Sequence, residues 1–240
     1  MVESRESMAV PVLKDLLIAT ARGSDLLLPG SPESIQLGTI APECDRLMQL
    51  TYADPQHQEK AAMLYVLPDG KLIIDAKETS SATVQNGMRT VLHTFIRSRG
   101  PQVPRHLRQD KYTVGALHTH GLKDAPQSTS DLIGLFRKVD ETNAAMLNAV
   151  ITPNRKIFIF RGANTPQWEE DFIQSKVQIW RDAFLQRVGH HLRSSMSHFE
   201  VDEINRRAST ALINQIAQKY DLAIYSCSTS ETVLKKGPVA

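Results

Sequence analysis

A chain of 240 residues with 41% hydrophobic and 22% charged residues has the composition of a folded globular protein rather than a disordered one. Its formal net charge of +2 is too small to argue for a nucleic-acid partner, and no apolar run approaches the roughly 20 residues needed to span a bilayer. Two distant cysteines, Cys44 and Cys227, form no metal-ligand spacing and suit a reducing compartment.

The N-terminal stretch carries Glu3, Arg5 and Glu6 ahead of its apolar part and Lys14, Asp15 and Arg22 inside that part. That is not a Sec-type signal, so the expectation is a soluble, cytoplasmic protein without membrane association; export by a dedicated machine would leave no such mark. Residues 9–22 read as a short helix closed by Gly23, and 41–53 as a second helix with an acidic first turn. Two apolar runs, 61–67 and 71–77, flank Pro68-Asp69-Gly70 and predict a hairpin. Val84, Met88, Val91, Leu92 and Phe95 recur at helical spacing, which predicts a helix over 83–98. A basic loop comes next, with Arg97, Arg99, Arg105, Arg108 and Lys111 against Asp110; it is a solvated surface or a dock for an acidic partner.

Residues 112–118 read as a strand, 131–143 as a helix, and 147–162 as a second hairpin turning at Pro153-Asn154. From Thr165-Pro166 a long helix is expected, with Trp168, Phe172, Val177, Trp180, Phe184 and Val188 at mostly helical intervals. Its tryptophans are expected to pack it against the core. Another helix over 200–220 and a late strand over 221–228 complete the chain. The fold class is mixed α/β, in three parts: an N-terminal helix and loop at 1–40, a core at 41–165, and a mainly helical C-terminal extension at 166–240.

The chemistry concentrates in "HTHGLKDAPQSTSD", residues 118–131. His118 and His120 are two residues apart. On a strand they share one face with Cα atoms roughly 6.6 Å apart, whereas on a helix they would diverge by about 200°. Asp131, placed in the first turn of the next helix, is a third candidate ligand. Two imidazoles and one carboxylate leave the fourth position of a tetrahedral zinc ion open, as catalysis requires, and water held there becomes a nucleophile near neutral pH. Ser128-x-x-Asp131 is also the ordinary sequence of a helix capping box, and the two roles are compatible.

This stretch resembles the signature of the JAMM (MPN-plus) metalloproteases, His-x-His followed after about seven to ten residues by Ser-x-x-Asp. The order of elements over 41–165 is similar as well. The resemblance implies a JAMM/MPN-like core, a mixed β-sheet flanked by helices, with one Zn2+ per chain on His118, His120 and Asp131. It implies that Ser128 helps stabilise the oxyanion and that an upstream glutamate is the general base. Glu59, opening "EKAAMLYV" after a helix and a loop, matches that glutamate; Glu78, at the far end of the next strand, is the competing candidate. Gly121 stands where many members have proline, and the stretch after the glutamate is only approximated by 60–63.

The activity so implied is hydrolysis of an isopeptide or peptide bond, most directly at the C-terminus of ubiquitin or a ubiquitin-like protein. Other branches act on sulfur-carrier proteins or cell-wall peptides, and members without the ligands are scaffolds. Partner binding or self-association through 166–240 is compatible with each. A PHP-type phosphoesterase also begins with His-x-His, but needs it near the chain's start and many more ligands after it. His190, His191 and His198 fall to surface or capping roles.

Overall fold

The computed structural model describes residues 9–21, 28, 30–86, 89–97, 112–121, 124–139 and 144–239, with the backbone alone described for 76–86, 89–97 and Tyr112. Five α-helices, one 3-10 turn (Gly38–Ile40) and nine strands occur among them. The helices are α1 (Leu13–Ala21), α2 (Ala41–Ala53), α3 (Ile133–Phe136), α4 (Glu170–Gly189) and α5 (His198–Lys219). The strands are β1 (Ser34–Gln36), β2 (Ala61–Val66), β3 (Leu72–Asn86), β4 (Arg89–Arg97), β5 (Tyr112–Thr119), β6 (Leu147–Ile151), β7 (Arg155–Arg161), β8 (Leu222–Ser228) and β9 (Val233–Lys236). They form one mixed sheet in the order β1-β9-β8-β7-β6-β5-β2-β3-β4. Every pairing is antiparallel except β5 with β6.

Helices cover both faces of this sheet, so its central strands are apolar on both sides. In β7, Phe158 and Phe160 belong to a core with Leu13 and Leu17 of α1 and Leu47 and Met48 of α2. The alternate residues Ile157 and Ile159 belong to a second core with Trp180 of α4 and Leu212, Ile213 and Ile216 of α5. The period-2 alternation of side chains thus splits a continuous Ile-Phe-Ile-Phe run between two helical layers. The tryptophans serve the second layer as expected: Phe136 stacks on Trp168 with ring centroids 4.7 Å apart, and Trp180 and Tyr220 close the cluster at 5.5 Å each.

Several predicted elements differ. The segment 83–98 is not a helix; β3 runs on to Asn86, and β4 returns along it from an Asn86–Arg89 pair. Thr83, Val84, Thr90, Val91, Thr94 and Ile96 are β-branched, so strand extension onto an existing partner wins over helical spacing. The helix expected over 131–143 is a single turn, α3. The Trp168 N–H donates to Phe136 O at 2.7 Å, and Arg137 pairs with Glu170 at 2.9 Å in extended conformation, which ends the helix.

The long helix starts at Glu170 rather than at Thr165-Pro166. Thr165 is taken up by the preceding turn, accepting from the Gly162 N–H and donating to Asp221 O, both at 2.8 Å. Residues beyond 166 supply β8 and β9 to the central sheet as well as two helices, and β9 pairs with β1. No helix among the described residues is long and apolar enough to cross a membrane. Residues 98–111 of the expected basic loop lie outside the described residues.

Candidate metal centre

β5 carries the histidines. It lies between β2 and β6, with Ala61 opposite His118 on one side and Val150 opposite it on the other. Thr119, between the histidines, points to the other face, where its hydroxyl meets Thr51 Oγ1 of α2 at 2.8 Å and accepts from the Lys60 N–H at 2.9 Å. This anchor fixes the parity of the strand end, so His118 and His120 project together from one face.

Asp131 comes to them from the turn that precedes α3. The Asp131 N–H donates to Ser128 O at 3.2 Å, and the Ser128 N–H donates to Asp131 Oδ2 at 2.5 Å. Asp131 therefore precedes the helix rather than lying in its first turn. Only half of the expected capping box forms, because Ser128 Oγ meets Ser130 Oγ at 2.9 Å instead of a helix N–H. The helix begins five residues after Ser128, and Ser128 is not its cap.

The donors converge. His118 Nε2 and His120 Nε2 are 3.2 Å apart, His118 Nε2 and Asp131 Oδ1 3.4 Å, and His120 Nε2 and Asp131 Oδ2 3.5 Å. Ligands at zinc distances of about 2.0–2.1 Å, disposed tetrahedrally, would lie about 3.3–3.4 Å from one another. The His120 Nδ1–H donates to Ala125 O at 3.1 Å, a carbonyl that can only accept, so the neutral ring has its lone pair on Nε2. This backbone bond orients the His120 ring as an outer-shell partner orients a metal ligand. Three electron-rich atoms facing one another at these distances need a positive charge among them, a proton or a metal cation. Among the described residues this is the one group of three or more His, Cys, Asp or Glu side chains placed to hold a metal ion.

The electrostatics agree. Burial by itself would lower the His118 pKa, but the Asp131 carboxylate, aided by Glu59, raises it above its ordinary value. Burial would raise the Asp131 pKa, but His118 and His120 together hold it well below the usual carboxylate range. One carboxylate facing two imidazoles suits a cation, and their partial burial strengthens that attraction.

Glu59 reaches the same face by register. Ala61 is opposite His118, and the Thr119 N–H donates to Lys60 O at 2.9 Å, which carries the ladder one residue further. Glu59 then falls opposite His120, with the parity of Ala61. Glu78 falls one residue beyond the Ala61–Lys77 pair, at a position of the other parity. Nothing is described of its side chain, so the comparison rests on register.

Supporting residues carry no signal in the sequence. Gln127 is fully buried, its Nε2 donating to Asn148 O at 3.2 Å and Ile157 O at 3.0 Å, which pins the motif loop to β6 and β7. Thr152 Oγ1 donates to Asp124 Oδ1 at 2.7 Å and holds the other end. Gly121 has φ +60°, and a Cβ there would lie 2.9 Å from His57 O. Proline, which requires φ near −65°, does not fit this backbone, which accounts for the glycine. No family model matches the chain, and neither a curated protein nor a solved structure matches it.

Proposed function

We propose that the chain is a zinc-dependent hydrolase of isopeptide or peptide bonds, with the C-terminal tail of ubiquitin or a ubiquitin-like protein as its leading substrate. The observation that carries the reading is the convergence of His118, His120 and Asp131 at tetrahedral-edge distances, beside a glutamate on the same strand face. Zinc suits two imidazoles and a carboxylate, and when bound it supplies a Lewis acid that polarises a carbonyl and makes water nucleophilic near neutral pH. The substrate class comes from the resemblance of 118–131 to the JAMM signature.

The chain's own groups divide the remaining work. The Glu59 carboxylate takes a proton from the attacking water and returns it to the leaving nitrogen as the carbon–nitrogen bond breaks. Ser128 Oγ, exposed and bonded among the described residues only to Ser130 Oγ, can turn and donate to the oxyanion, while its N–H stays on Asp131. Asp131 is held by that N–H, and His120 by Ala125 O, so neither has to reorganise.

The test is elemental analysis of the purified protein beside His118→Ala and Asp131→Ala, with a di-ubiquitin cleavage assay on the same samples. About one zinc per chain, lost in both variants, with cleavage lost in Glu59→Gln and kept in Glu78→Gln, is the expected result. Zinc without cleavage of any ubiquitin-like conjugate would transfer the reading to a sulfur-carrier or cell-wall substrate, or to a scaffold. No zinc after supplementation would refute it.

A further inference from the structure

A cleft of about 460 Å³ opens on the outer side of the motif loop, between Ser128–Ser130 and the pair α4 and α5. Its walls include Ile133, Val177, Phe184 and Leu212, and Arg181 of α4 lines it as well. Arg181 is exposed and has no ion-pair or hydrogen-bond partner among the described residues. Ser128 belongs both to this cleft and, through its N–H on Asp131, to the candidate metal centre. A cleft lined by apolar side chains, by hydroxyl and amide groups and by one unpaired guanidinium, and sharing Ser128 with the candidate metal centre, has the make-up of a substrate subsite.

We propose that this cleft binds the C-terminal residue of the leaving group, taking a large apolar side chain between its walls and the free α-carboxylate on Arg181. The inference deepens the peptide-bond form of the hydrolase reading and rests on it, since the lysine leaving group of an isopeptide brings no α-carboxylate to the scissile bond. Charge decides which end of a substrate lies here. A chain end on the acyl side carries an ammonium group, which Arg181 repels, whereas the end on the leaving side carries a carboxylate, which a guanidinium binds through paired hydrogen bonds. The volume suits one or two residues of an extended chain rather than a folded domain. Arg181 is thus the specificity-determining residue on the leaving side.

The probe is N-acetyl-L-phenylalanine against its primary amide, titrated calorimetrically into the full chain, zinc-loaded and after chelation. The carboxylate form is expected to bind about tenfold tighter or more, the worth of one charge-assisted hydrogen bond. Arg181→Gln should abolish that difference while leaving the amide's affinity unchanged, and Arg181→Lys should restore part of it. His118→Ala, which removes the metal centre, should leave the difference in place, so the cleft is tested apart from the hydrolase reading. Equal affinity for the two probes, no binding of either, or a preference that survives Arg181→Gln would overturn the proposal.

Discussion

Gly121→Ala tests the architecture of the centre most directly, because the structure supplies its own control. Gly121 and Gly30 have nearly the same left-handed backbone, φ +60° and +64°. An added Cβ at Gly30 meets nothing within 4 Å among the described residues, while at Gly121 it lies 2.9 Å from the carbonyl oxygen of His57. The left-handed conformation costs an L-residue about 1–2 kcal/mol at either position. The unfolded-state gain of replacing glycine is common to both and cancels in the comparison. Only Gly121→Ala adds the clash, and the His57 backbone cannot move cheaply. Its N–H donates to Asp54 O at 2.8 Å, and Asp54 is in turn paired with Lys60 at 2.5 Å.

Overpacking of this kind costs roughly 1–3 kcal/mol, so Gly121→Ala should destabilise by about 2–4 kcal/mol in all. At roughly 2–4 °C per kcal/mol for a chain of this size, its melting temperature should fall by about 4–16 °C, clearly further than that of Gly30→Ala. The chain that carries the clash leads within two residues to Glu59. Turnover should therefore fall, by up to about 100-fold for an ångström of displacement, with zinc content near one per chain. Thermal unfolding and turnover on both variants decide it. If Gly121→Ala melts no lower than Gly30→Ala, the contact between the two loops is not what requires glycine, and the reasoning fails.

The same geometry sets other outcomes. Zinc at 100 times its dissociation constant should stabilise the protein by about 2.7 kcal/mol, read as a rise in melting temperature that Asp131→Asn largely removes. Without metal, the raised His118 pKa gives stability that is present below about pH 6.5 and lost as the pH rises through the folded-state value. The lowered Asp131 pKa gives stability that is present above its ordinary value and lost as the pH falls through the folded-state value. The metal-free melting temperature should thus decline from mildly acidic to mildly alkaline pH. The stabilisation by zinc should grow over the same range, because zinc needs both imidazoles neutral; parallel slopes in the two states would refute the assignment. Gln127→Leu should cost about 1–3 kcal/mol by removing the two side-chain hydrogen bonds that tie the motif loop to the Asn148 and Ile157 carbonyls, seen as a lower denaturation midpoint.

Elements whose signal is local could be read from the residues alone. Pro68-Asp69-Gly70 and Pro153-Asn154 set their hairpins, the apolar spacing of 41–53 set α2, and the run "YTVGAL" put His118 on a strand with His120 one residue past its end. The candidate metal-binding cluster was legible for the same reason: a short motif on a strand–loop–turn unit brings its donors together over 14 residues. Local signals failed where two were in conflict. Residues 83–97 have both helical spacing and β-branched residues, and only an available partner strand decides between them.

What the amino-acid sequence determined by itself, then, was the set of short-range units and the His-x-His face, since period and turn chemistry act within a few residues. Only the tertiary structure decided the rest. The place of Glu59 depends on a register between β2 and β5, whose paired residues are 57 apart at Ala61 and His118. The start of α4 depends on Thr165 closing onto Asp221, and the cleft beside Ser128 on α4 and α5 folding back over the motif loop. Such contacts join residues far apart in the chain, and their energy comes from burial and pairing, which no local pattern records.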